Sequence, residues 1–235
     1  MVTRTLTLFL LFLIMKGKDY YVVPIYPMML AGGAVAIEGW TSRLGSPWRR
    51  FARAAAICLV AATGALLAPA VLPLLSPEDY VAYTRAMHLA PSKTEVNHVG
   101  PLPQVWGDQF GWPEMVQQVA SVYDALSPDE RARTGILTGN YGEAGAIDLL
   151  GPKYGLPQAM SGHQTYYFWG TQGFTGDQVI TLQYGPRYLG KICDQYREVA
   201  NHFHEWGMAE ENHAIYLCHL KQPLSAIWED QKHWN

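Results

Sequence analysis

The sequence predicts membrane helices followed by a layered α/β domain with a mainly parallel sheet and flanking helices. Three observations predict it. Charged residues make up only 16% of the chain, well below the roughly 25% of an ordinary soluble domain. The stretch from Ala54 to Leu75 contains no charged residue and reaches the length of about 20 apolar residues that a helix needs to cross a bilayer. After Ser76, short apolar runs alternate with helical stretches, the pattern of an α/β layer structure. The expected division is therefore 1–75 in the membrane and 76–235 outside it.

Taken in order, Leu6 to Met15 is apolar but too short to span. A signal-peptide core fits its length and the preceding Arg4, but no small-x-small cleavage site follows. The tail of a spanning helix whose beginning is missing is the preferred reading. Tyr20 to Ile37 is a second uncharged run, bounded by Asp19 and Glu38. Pro24 and Pro27 stand in its first turns, where a missing N–H does least harm. Trp40 and Trp48 suit the headgroup level. Pro69 and Pro73 bend or stop the third run.

Arg43, Arg49, Arg50 and Arg53 crowd the short loop between the second and third runs. Such loops stay in the cytoplasm, which makes the chain multi-pass in the plasma (inner) membrane with everything after Leu75 outside. Lys16 and Lys18 then face outward, against the charge rule, and need another explanation. The apolar share of 49% excludes a disordered chain. A net charge of −3 argues against a nucleic-acid partner. Three cysteines exclude a disulfide-built miniprotein.

In the outer part, Ser76 caps a helix from Pro77 to Met87, and Ala90 to Pro103 reads as an extended connector. Met115, Val119, Val122 and Leu126 recur at helical spacing within Gly111 to Leu126. Ser127-Pro128-Asp129-Glu130 opens a further turn with capping chemistry. Strands are expected at Thr134 to Thr138, Gln158 to Ser161, Gln178 to Tyr184 and Ala214 to His219. Helices are expected at Glu143 to Leu150, Tyr188 to Asn201 and Pro223 to Gln231, with a loop or helical turn at Thr165 to Gly170.

Chemistry concentrates in two segments. Gly139-Asn140-Tyr141-Gly142-Glu143-Ala144-Gly145-Ala146 follows a predicted strand and opens a helix. Its glycines let backbone N–H groups point at a ligand, but the Gly-x-Gly-x-x-Gly spacing and the Walker lysine are missing. A strand-to-helix turn packed by glycine explains it equally. Ser161-Gly162-His163-Gln164-Thr165-Tyr166-Tyr167-Phe168-Trp169-Gly170 follows the next strand. In a parallel sheet both segments emerge at one strand edge, where open α/β sheets bind ligands. Aromatics beside amides and hydroxyls suit a sugar, and equally a face resting on the membrane interface.

His202 and His204 fall on one face of a strand, with His213 and His219 further on, but no zinc spacing is present. They read as surface histidines, and no metal site is expected. Cys193 and Cys218 both lie in the outer part, where a bridge can persist; sequence alone leaves their pairing open. No Gly-x-Ser-x-Gly elbow supports a hydrolase. Lys16 and Lys18 with Tyr20 and Tyr21 can hold a lipid-linked phosphate, or can simply anchor a helix end at the headgroups.

The run Lys16-Gly-Lys-Asp-Tyr-Tyr-Val-Val-Pro-Ile-Tyr-Pro resembles the late membrane region of family 39-like glycosyltransferases, which include protein mannosyltransferases and the lipid A aminoarabinose transferase. Thr138-Gly-Asn-Tyr-Gly-Glu-Ala-Gly-Ala-Ile-Asp, Ser161-Gly-His-Gln-Thr-Tyr-Tyr-Phe-Trp-Gly and the ending Pro223-Leu-Ser-Ala-Ile-Trp resemble the outer C-terminal domain of bacterial members. The resemblance covers nearly the whole chain. It implies the C-terminal part of a polytopic GT-C enzyme that passes a sugar from a polyprenyl-phosphate carrier to an acceptor outside the cytoplasm. The family's acidic catalytic residue stands in an outer loop near the N-terminus, which has no counterpart here. No catalytic residue is therefore assigned to this chain, and the chain alone is expected not to transfer sugar. Lys16, Lys18, Tyr20 and Tyr21 match positions near the carrier phosphate. Asn140, Tyr141, Glu143, His163, Tyr166 and Trp169 are candidates to face the acceptor or the membrane domain, on strand-edge geometry. The implied donor is a lipid-phosphate-linked sugar, with no covalently bound cofactor, and the divalent-metal requirement is open. A non-enzymatic, membrane-anchored module that binds a glycan or a protein is the alternative.

Overall fold

A computed structural model describes residues 2–15, 19–89 and 100–234 of the 235-residue chain. It divides into two compact units, Met1–Val96 and Asn97–Asn235. Lys16 and Lys18, the side chain of Tyr20 and most of the expected connector lie outside the described residues.

The first unit is helical. Helix α1 spans Val2–Ile14. A 3-10 turn, Asp19–Ile25, leads into α2, Tyr26–Thr41, and α3 follows at Ser46–Val71. The segments Tyr21–Thr41 and Ser46–Val71 are long and apolar enough to cross a membrane. No residue of α3 is buried, so its apolar surface has no cover among the described residues. Arg53 reaches back from α3 to Thr41 (3.1 Å) and Glu38 (3.5 Å), pinning the intervening turn. Helix α4, Pro77–Ala86, starts as expected, with the Ser76 hydroxyl accepting from Asp79 N. The Tyr83 hydroxyl donates to the Leu66 carbonyl. This tie groups α4 with the apolar helices in the unit that ends at Val96, rather than with the domain that follows.

The second unit is an α/β domain. A short helix, α5 (Gln104–Gly107), precedes α6 (Trp112–Asp124) and α7 (Pro128–Ala132). Strand β1 (Thr134–Thr138) then runs into α8 (Tyr141–Leu150), and β2 covers Ala159–Ser161. Strand β3 (Gln178–Leu182), helix α9 (Pro186–Ile192), strand β4 (Cys193–Asn201) and strand β5 (Ala214–Leu220) complete it. The sheet order is β2-β1-β3-β5-β4. Strands β1, β2 and β3 are parallel, whereas β5 pairs antiparallel with both β3 and β4. The sheet is thus mixed, not mainly parallel: the last two strands form an antiparallel pair added to a parallel half.

Alternation along β1 and β3 separates two cores. Ile136, Ile180 and Leu182 pack with Met115, Val119 and Ile147 from the helices on one face. Leu137 and Val179 pack with Leu189, Cys218 and Leu224 on the other. Two expectations are corrected. The stretch read as one helix from Tyr188 to Asn201 is the end of α9 followed by β4. The edge strand β4 is largely exposed and pairs only with β5, so its polar, helix-favouring residues need no apolar alternation. The expected closing helix resolves into two 3-10 turns, Leu224–Ala226 and Glu229–Gln231, because Pro223 and the packing of Leu224 and Gln231 interrupt regular periodicity. Cys193 and Cys218 form a disulfide, with Cα atoms 5.7 Å apart, joining β4 to β5.

Candidate functional site

The C-terminal ends of β1, β2 and β3 lie side by side because those strands are parallel. Strand β1 turns into α8 through Gly139 and Asn140. Asn140 caps the helix by accepting from Glu143 N at 2.9 Å, and Glu143 closes the reciprocal half of a capping box. Glu143 Oε2 accepts from Gly139 N at 3.1 Å and from Asn140 N at 3.3 Å. A capping glutamate is ordinarily a surface residue. Here Glu143 is fully buried, because the segment before β5 covers it with His213.

His213 Nε2 lies 2.5 Å from Glu143 Oε1, and its Nδ1 lies 3.2 Å from the Ala214 carbonyl. The Gln183 N–H donates to the same Nδ1 at 3.4 Å, which the neutral ring with its proton on Nε2 accepts, whereas the imidazolium donates from Nδ1 to the Ala214 carbonyl instead. Burial opposes that charged form, but the hydrogen bond and charge of Glu143 outweigh it and raise the His213 pKa. Asn140 Nδ2 donates to Glu211 Oε1 (3.0 Å) and to Gln183 Oε1 (3.2 Å). Burial, followed by the neighbouring Glu143 charge, pushes the Glu211 carboxyl up to about 8. At neutral pH this side chain therefore keeps its proton beside the Glu143–His213 pair. Gln183 adopts φ +61°, an uncommon left-handed conformation for a non-glycine residue, and donates from its amide to the Glu210 carbonyl at 3.3 Å. Gly139 makes room for it: a Cβ at 139 would lie 2.8 Å from Gln183 Cβ.

The end of β2 brings a second group to the same edge. His163 stacks on the ring of His233 (4.7 Å) and meets the tilted ring of Tyr141 at 4.8 Å. His233 spans Gly139 and Gln231, with ring nitrogens 2.9 and 2.8 Å from their carbonyls. Its backbone pairs with Gly162 and Gln164. Both ring nitrogens of His163 are buried with no hydrogen-bond partner among the described residues. Burial, and then the charge of His233, hold the His163 pKa below its usual value. Beyond it, the 3-10 turn Gln164–Trp169 carries the aromatic run. Asp148 anchors that run from α8: its Oδ2 accepts from the Tyr166 hydroxyl at 2.8 Å and its Oδ1 from Ala159 N at 2.7 Å.

The expected residues therefore separate by role. Tyr141, His163 and Trp169 stand at the strand edge, with Tyr141 and Trp169 well exposed. Asn140 and Glu143 are bound into the hydrogen-bonded network beneath it, and Tyr166 holds the aromatic turn to α8. Tyr21 belongs to the other unit, where its ring meets that of Phe12 at 6.3 Å. Sequence reasoning missed Gln183 and Glu211, which carry no local motif. It also misjudged two of the histidines. His202 is buried and follows β4 in a loop, and the His213 side chain is only 13% exposed. Neither is a surface histidine.

One carboxylate oxygen each from Glu143 and Glu211 and one ring nitrogen of His213 lie within 4.8 Å of one another. These are donor types that a divalent cation accepts. Glu143 is hydrogen-bonded to His213 and Glu211 to Asn140, while Glu211 Oε2 is buried with no hydrogen-bond partner among the described residues. Two shallow cavities, of about 300 and 320 Å3, share no lining residue with this edge. Comparison of the chain with family models, with curated proteins and with solved structures finds no match.

Proposed function

We propose that this chain is part of a glycosyltransferase that takes a sugar from a polyprenyl-phosphate carrier and delivers it on the outer face of the plasma membrane. One observation carries the reading. The two outer segments through which the chain resembles family 39-like enzymes, Thr138 to Asp148 and Ser161 to Gly170, meet at one strand edge, with Tyr141 packed on His163 at 4.8 Å. Two further features support it. Among the described residues, two apolar helices reach spanning length, and the Cys193–Cys218 disulfide suits an oxidising compartment.

In this reading Lys16 and Lys18, with Tyr20 and Tyr21, screen the carrier phosphate as it leaves the sugar. Tyr141, His163 and Trp169 present a stacking surface to the acceptor or to the membrane part, and the Glu143–His213–Glu211 network holds that edge rigid. The test is photolabelling of the full chain in lipid nanodiscs with a diazirine-bearing polyprenyl phosphate. Replacing both Lys16 and Lys18 by Ala should weaken labelling about 30-fold, from about 1 kcal/mol per lysine near an anionic surface. Labelling unchanged by that double substitution would exclude the phosphate role.

A second reading, a membrane-anchored glycan-binding module without catalysis, is favoured by one feature. Glu143 and His213 are spent on each other and on the backbone, while the exposed rings suit sugar stacking. Binding of free oligosaccharides by the full chain, with no affinity for polyprenyl phosphate, selects this reading.

A further inference from the structure

The C-terminal segment closes an exposed aromatic face. Lys232 Nζ lies 5.0 Å from the Tyr167 ring centre, 5.4 Å from Phe168 and 5.9 Å from Trp234. Phe168 and Trp234 pack at 6.3 Å, and Tyr167 stacks on Trp228 at 5.8 Å. Phe168, Trp169 and Trp234 are each more than half exposed, at 64%, 59% and 56%. Large apolar rings gathered in one place mark an interaction surface rather than the scattered exposure of a soluble domain. Lys232 makes no ion pair among the described residues, so its charge is held among rings rather than neutralised by a carboxylate.

We propose that this face docks on the outer surface of the lipid bilayer, with Phe168, Trp169 and Trp234 among the headgroups and Lys232 directed at lipid phosphate. Three features select a bilayer as the occupant. Tryptophan and other amphipathic rings concentrate at the membrane–water interface, and lysine extends from such a site to the headgroups. The same chain carries apolar helices of spanning length, and only residues 72–96 separate the end of α3 from the second unit. Finally, the face is continuous with the candidate site: His233 lies between Lys232 and Trp234 and stacks on His163, whose ring meets that of Tyr141 at 4.8 Å. Docking therefore turns the strand edge toward the plane in which a lipid-linked substrate resides. The proposal rests on the membrane placement of the preceding section and adds to it a defined orientation of the outer domain.

The test uses the full chain in nanodiscs containing anionic lipid and spin-labelled quencher lipids. Cys58, the free and exposed cysteine of α3, carries the fluorophore in one sample. In the others a Cys58→Ser background carries it at Phe168→Cys, Trp234→Cys or Asp129→Cys. Asp129 is exposed on α7, at the N-terminal end of β1. Headgroup-level quenchers should quench the labels at 168 and 234 but not at 129, and deep quenchers should quench the label at 58. Lys232→Gln should lower the docked-to-undocked ratio about fivefold, the contribution of one lysine near an anionic surface. Quenching at 58 with labels at 168 and 234 as accessible as at 129 overturns the docking and leaves the membrane placement intact. A label at 58 that stays in water overturns both. Shielding at 168 by added oligosaccharide without lipid assigns the face to a glycan and overturns the docking.

Discussion

His213 Nε2 lies 2.5 Å from Glu143 Oε1, joining the first turn of α8 to the entrance of β5 across 70 residues of sequence. Both side chains are buried, at 13% and 0% exposure, so removing one partner strands the other away from water. Glu143→Gln keeps the geometry that caps α8 and removes the charge. It should destabilise the α/β domain by about 3–5 kcal/mol, the usual loss when a buried pair is broken. Thermal unfolding of the detergent-solubilised chain measures this. A loss under about 1 kcal/mol, the size of a helix cap alone, would show that the pair contributes nothing beyond capping.

Glu211 predicts how stability depends on pH. Its folded pKa of about 8 exceeds its ordinary value of 4.5, so the folded state binds more protons than the unfolded state between those values. Its contribution is therefore fully present below about pH 4.5 and is lost as pH rises toward 8. His213, also raised, acts in the same direction from 6.5 upward. Glu211→Gln should flatten the decline between pH 5 and 8 on unfolding curves (approximate bounds from the same linkage). A variant whose decline matches the parent would remove Glu211 as its source.

His163 acts in the opposite sense. Burial and the nearby His233 lower its pKa from 6.5, so its neutral ring contributes stability that is lost as pH falls below that value. His163→Phe keeps a ring against His233 and Tyr141 and should reduce acid sensitivity below about pH 6. Unchanged acid unfolding would place that sensitivity elsewhere.

Gly162 admits no side chain. A Cβ there would lie 1.9 Å from the Gln231 carbonyl oxygen, in contact with backbone that pairs through His233. Gly162→Ala should displace residues 231–234 and cost more than about 3 kcal/mol, as overpacking against rigid structure does. Hydrogen exchange at the Gln164 and His233 amides should rise together. Protection equal to the parent would mean that the segment shifts without losing its pairing.

The Cys193–Cys218 bridge closes a loop of sequence separation 25. On loop-entropy grounds it should stabilise the folded domain by about 3–4 kcal/mol. Non-reducing mass spectrometry of the purified chain checks the bond, and unfolding with and without reductant checks its contribution. Free thiols at both positions in chain recovered from its native cells would argue against an oxidising compartment.

Much of the domain was legible locally. Met115 and Val119 recur at helical spacing, and Ser127 and Glu130 spell a capping box, so α6 and α7 follow from neighbouring residues. The apolar runs of β1 and β3 announce buried strands. Strand β4 was not legible, because an exposed edge strand carries no apolar alternation and its Gln195, Arg197 and Glu198 favour helix when read alone. The same limit applies to the site. Asn140 and Glu143 share one turn and drew notice, whereas Gln183 and Glu211 show nothing in their own neighbourhoods.

By itself, the sequence determined where long apolar helices give way to a mixed α/β sequence, which residues cap its helices, and that glycine and aromatic side chains follow two of its strands. These are short-range matters, decided by hydropathy, backbone preference and spacing. Only the tertiary structure decided that β5 enters antiparallel beside β3, because strand direction depends on long-range pairing rather than on composition. That pairing carries Glu211 and His213 over the α8 cap and buries Glu143. It turns a capping glutamate into one member of an acid–base network, since burial and the proximity of a second charge arise only when distant segments meet.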